Sequence, residues 1–157
     1  MKFLRVPVGI AVAVVLALTA SCLQPGQHTL VAITGAHSSS RAVDVITFTF
    51  AQGAPPSDVI RFVTQPPMQP SGKRVDVDGR AFLYLVMTSA VAHDQRGAPT
   101  APAAFYAVGL KNVLEVARVE DFEGYVSYAF GLLDPHSPAV RVTRSATSVV
   151  VTVAAPG

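Results

Sequence analysis

The sequence has one cysteine, no tryptophan and few charges. A single Cys, Cys22, excludes an internal disulfide, so compactness must come from a buried apolar core. Only 14% of residues are charged, with no run of Lys or Arg, so the phosphate-contacting stripe of a nucleic-acid binder is missing. Two of the twelve basic residues, Lys2 and Arg5, precede the first apolar run, and the remaining ten balance the ten acidic ones. Nucleic acid is therefore not an expected partner, despite a pI near 8.9. None of the four histidines, His28, His37, His93 and His136, forms a His-x-x-x-His or Glu-x-x-His spacing. The pairs His93-Asp94 and Asp134-Pro135-His136 offer two ligands each, and zinc takes three or four. A Gly-x-Ser-x-Gly nucleophile elbow and a phosphate-cradling Gly-rich loop are also lacking. A Ser-His-Asp triad assembled from distant positions stays open, since its members need not be near in sequence. No catalytic residue, metal site or cofactor is assigned, and the chain is expected not to be an enzyme. No long stretch shows a helical period. The twelve prolines and eleven glycines follow no repeat, which excludes collagen-like and array architectures.

What is present begins with a leader. Met1 to Arg5 is short and basic, and Val6 to Ala20 is apolar and uncharged. This is the layout of a secretory signal peptide, and about 15 apolar residues fall short of the roughly 20 a membrane-spanning helix needs. Leu18-Thr19-Ala20-Ser21-Cys22 resembles the lipobox of bacterial lipoproteins, with Leu18 one position earlier than that pattern prefers. The resemblance implies cleavage between Ser21 and Cys22 and diacylglycerylation of the Cys22 thiol. Two or more acyl chains make a stable anchor, where one is marginal. The expected organisation is a signal peptide over 1–21, a flexible tether over 22–27 and a folded domain over 28–154. The alternatives are secretion after cleavage near Ala20, which leaves Cys22 a free thiol, and an uncleaved N-terminal anchor.

Beyond the tether the chain reads as strands. His28 to Thr34 is apolar and β-branched, and Gly35 to Arg41 reads as a polar loop. In Val43 to Phe50 the residues Ile46, Phe48 and Phe50 share one face. Asp58 to Thr64 reads as a strand with Ile60 and Phe62 inward, a one-turn helix being the other option. Arg80 to Val91 is apolar on both faces, as a central strand would be. Ala92 to Ala104 is long for a plain connection and is a candidate functional loop. Val113 to Leu132 reads as two strand arms meeting at an acidic turn, Glu120 to Gly124. Val126, Tyr128, Phe130 and Leu132 share a face of the second arm. Glu115 and Arg118 break the alternation of the first, which leaves its inward face unassigned. The last strands fall at Val140 to Val142 and Ser148 to Val153. About eight short strands at turn spacings of roughly 8 to 12 residues predict an all-β antiparallel sandwich.

The order of these features resembles the AMIN-like domain of actinobacterial secreted proteins and lipoproteins. It is carried by Gly35-Ala36-His37, by VDVITFTF and DVIRFV, and by Ser71-Gly72 before a polar-apolar strand. Gly79 before an apolar strand follows, then Asp121-Phe122-Glu123-Gly124 before an aromatic strand ending in Gly131-Leu132. The chain departs from the pattern where Val45, not Arg, follows Asp44, and where Thr147 to Thr152 replaces a Pro-Arg-apolar-Asp ending. An ion pair between those elements is therefore expected to be missing. The resemblance implies a β-sandwich of the kind that targets envelope proteins to peptidoglycan or the septum, with no catalytic residue to carry over.

Among candidate sites, Glu120, Asp121 and Glu123 read as solvated turn residues rather than a hydrolytic pair, whose members come from separated elements. Tyr84, Tyr106, Tyr125 and Tyr128 are candidates for a sugar- or peptide-binding face, and Tyr125 is expected to be exposed. The candidate binding residues are Tyr125, His37 and Asp44. The expected function is a lipid-anchored envelope protein with a non-enzymatic binding or targeting domain that contacts peptidoglycan or an envelope protein. The alternatives are a small envelope hydrolase and a carrier of a small hydrophobic ligand. The expected location is the outer face of the cytoplasmic membrane, with free secretion as the alternative.

Overall fold

The computed structural model describes residues 26–136 and 138–156. The expected leader, with Ser21, Cys22 and the first residues of the tether, lies outside the described residues. Among those described there are ten strands and no helix. They are β1 (His28–Ser38), β2 (Val43–Phe50), β3 (Ser57–Val63), β4 (Ala81–Thr88), β5 (Ala90–Val91), β6 (Ala104–Tyr106), β7 (Val113–Phe122), β8 (Tyr125–Leu132), β9 (Val140–Arg144) and β10 (Ser148–Ala154).

One sheet runs β5-β1-β2-β10-β9 and the other β3-β4-β8-β7-β6. All pairings are antiparallel except the two-residue β1–β5 contact, which is parallel. The sheets share one core. Ile46, Phe48 and Phe50 of β2, with Val149, Val151 and Val153 of β10, meet Leu83, Leu85 and Met87 of β4 and Val126, Tyr128 and Phe130 of β8. The Phe48 ring lies 5.2 Å from that of Tyr128 and 6.0 Å from that of Phe130, both tilted, as aromatic quadrupoles prefer. At one flank Arg144 of β9 pairs with Asp58 of β3, joining the sheet edges.

Alternation placed the β2 face correctly, because every second residue there enters the core. Strand β4 is buried on both sides, since Phe82 joins a second cluster on the outer face of its sheet. Val75 and Val77 lay the 64–80 segment over that face, against Ala117, Val119 and Ala129. Gly131 makes this possible, because a Cβ there would overlap the Asp78 carbonyl.

Three readings are corrected. Strand β1 continues through the expected polar loop to Ser38, because β2 supplies partners for it: Gly35 opposes Ile46 and His37 opposes Asp44. Arg80 to Val91 is two strands, broken at Ser89, whose φ is +57°. Phe62 is exposed although Ile60 packs on the core, since β3 is a sheet edge.

Candidate functional site

Strand β7 runs from one end of the sandwich to the other, and each end carries a polar cluster. Its register shifts at Leu114 and at Val119 mark two bulges. Each bulge reverses which residues face inward. Val113, Val116, Arg118 and Asp121 therefore share the core side with Leu132, Phe130, Tyr128 and Val126, while Glu115 and Ala117 face out.

At the near end sits Asp44, 0% exposed. Its Oδ2 accepts the backbone N–H of Asn112 at 2.6 Å and of Val113 at 2.9 Å, and Lys111 N–H lies 3.0 Å from both oxygens. His37 Nδ1 is 2.8 Å from Oδ1, so that nitrogen carries the proton. Burial raises the Asp44 pKa, but the donors of Asn112, Val113, Lys111 and His37 outweigh it and hold the carboxyl below its ordinary value. The Asn112 side chain then donates to Ala154 C=O at 2.8 Å and accepts Asp134 N–H at 2.9 Å. Asp44, a candidate binding residue, is thus buried and engaged within the fold. The carboxylate lies under the 107–113 loop and is consumed in holding it, and His37 presents only the rest of its ring.

The held loop offers a surface of its own. Val108 is 93% and Tyr106 70% exposed, and Leu114 and Leu133 are also exposed. They are neighbours through the backbone: Val108 N–H donates to Tyr106 C=O, Ala107 N–H to Leu114 C=O, and Leu133 N–H to Asn112 C=O. Large apolar side chains grouped on an ordered loop mark contact surfaces.

At the far end Asp121 is not a solvated turn residue. Its Oδ1 accepts Ala92 N–H at 3.0 Å, and its Oδ2 lies 2.9 Å from His93 Nδ1 and 3.5 Å from Arg118 Nη1. The 92–104 loop is pinned further by Thr100 Oγ1–H to Leu30 C=O at 2.7 Å and by Tyr128 O–H to Pro102 C=O at 3.2 Å. Ala92 and Ala101 enter the core. The loop is a strap over the end of the sandwich. His93 lies at the opposite end of β7 from Asp44, so His37, Asp44 and the 92–104 loop do not converge on one cleft.

The turn beyond Asp121 is two residues, Glu123 and Gly124, with φ of +51° and +78°. Both values are positive, as a type I′ hairpin requires. Phe122 and Tyr125 face each other across it, 61% and 48% exposed. Tyr125 borders a cleft of about 440 Å³ with Gly26, Gln27, Thr88, Ser89, Glu123 and Gly124. Phe122 and Val108 escaped the sequence reading; the only signal was an apolar residue set among turn formers.

Among the described residues no three His, Cys, Asp or Glu side chains gather as metal ligands, and no buried side-chain polar atom lacks a partner. The polar clusters are satisfied joints of the fold. No curated protein and no solved structure matches the chain. A family model does: that of the AMIN-like domain, over residues 28–155.

Proposed function

We propose, for a chain that belongs to the AMIN-like domain family over residues 28–155, a non-enzymatic binding or targeting role in the bacterial cell envelope. The protein is exported and held at the outer face of the cytoplasmic membrane by acyl chains on Cys22. Its domain contacts peptidoglycan or an envelope protein. The leader layout and the Ala20-Ser21-Cys22 sequence support the anchor.

The observation that carries the binding role is the exposed group of Val108, on a loop clamped by Asp44, with Tyr106, Leu114 and Leu133 on the strand ends beside it. Pre-ordering by three backbone bonds removes the entropy that a loose loop would lose on binding. This group lies at the end of the sandwich away from Gly26, where a chain tethered at its N-terminus reaches outward.

Sedimentation with purified peptidoglycan sacculi tests the role. The wild-type protein is expected in the pellet and a Val108→Asp variant in the supernatant. Wild-type protein that stays soluble would remove peptidoglycan as the partner. Membrane fractionation of a Cys22→Ser protein tests the anchor, and retention in the membrane would contradict lipidation.

A further inference from the structure

We infer that the β7–β8 hairpin tip docks on a lipid surface, with Phe122 and Tyr125 seated in the bilayer interface. The inference rests on the Cys22 anchor proposed above. The root of the tether and the hairpin tip are joined by two hydrogen bonds: His28 N–H donates to Ser89 C=O at 2.8 Å, and Ala90 N–H to Gly124 C=O at 3.0 Å. Gly26 and Gln27 share one cleft with Tyr125. Gly26 is four residue steps from Cys22, a reach of at most about 14 Å in extended chain. A membrane that holds Cys22 therefore lies within that distance of the cleft.

The side chains at that place suit the interface. Phe122 and Tyr125 form an exposed cross-strand pair on the outer face of the sheet, one wholly apolar and one with a polar tip, the composition found at headgroup level. The turn is set rigidly by a two-residue hairpin, so the pair is presented without ordering a loop. Glu120 and Glu123 flank it, and no Lys or Arg lies between Val119 and Val140. The contact is thus aromatic insertion rather than attraction to anionic headgroups. Docking fixes the orientation of the domain and turns the Val108 end away from the bilayer.

The absence of tryptophan makes the test direct. Phe122→Trp and, as the far-end control, Val108→Trp are introduced singly into the full-length lipidated protein. Each is reconstituted into phosphatidylcholine vesicles whose acyl chains carry bromine. The Phe122→Trp protein is expected to co-float, with blue-shifted emission and strong bromine quenching, while the Val108→Trp protein co-floats unquenched. Co-flotation with both proteins unquenched overturns the docking and leaves the anchor standing. If Phe122→Trp emission is unquenched but shifts on adding digested peptidoglycan, the face belongs to the wall and the docking is again overturned. Protein that carries no acyl mass and fails to float overturns the anchor, and the docking with it.

Discussion

Single residues here do more to hold backbone than to offer chemistry. Asp44 is the clearest case, because its carboxylate, from the opposite sheet, replaces the carbonyl partners that three consecutive N–H groups lack where the chain turns from β6 into β7. An Asp44→Asn amide puts two donors against those donors and is expected to lose about 3 kcal/mol at neutral pH. The pH dependence follows from the lowered folded-state pKa. The contribution is fully present above the unfolded value of about 3.9 and disappears as pH falls through the folded value. Urea midpoints measured from pH 7 to pH 3 should fall steeply for wild type and less for the variant. Some slope persists, since backbone donors of Ala98 and Arg96 also hold Asp94 low, and the His136 N–H holds Asp134 low. Equal slopes would contradict the role. A lone Asp on the core face of VDVITFTF is visible in the sequence, but its backbone donors lie 67 to 69 positions away, which no local pattern discloses.

At the scale of elements, period-two alternation was readable wherever a strand runs unbroken, as in β2 and β8. It failed in β7 because bulges at Leu114 and Val119 reverse the phase twice. The acidic tip was read as one five-residue turn, yet pairing carries β7 on to Phe122 and leaves two residues for the turn. Glu123 occupies a left-handed position that favours Asn or Gly. Glu123→Asn is therefore expected to stabilise the protein by about 1 kcal/mol, seen as a rise of several degrees in Tm. A lowered Tm would mean that Glu123 makes a contact which outweighs its backbone strain. Asp121, inside the same motif, belongs instead to the strap over the core, where His93 and Ala92 reach it from a loop 29 positions upstream.

For the whole molecule, one core shared by both sheets implies one unfolding unit. Phe48 touches Tyr128 and Phe130 across the sandwich, so Phe48→Ala should cost about 3–5 kcal/mol. The loss should appear in a single transition, with tyrosine near-ultraviolet and backbone far-ultraviolet signals falling together. Separate transitions would show that the sheets unfold independently. The sequence alone determined the all-β class, the main strands with their core faces, and the resemblance to the AMIN-like family. Those depend on local alternation and turn residues, which a chain carries wherever it is folded. Only the tertiary structure decided that Asp44 clamps a loop, that Asp121 holds a strap, and that Tyr125, paired with Phe122, lies beside Gly26 and Gln27 while Val108 lies at the other end. Each of these depends on which strands pair and in which register. That is set by burying one shared core, in which residues far apart in the chain become neighbours.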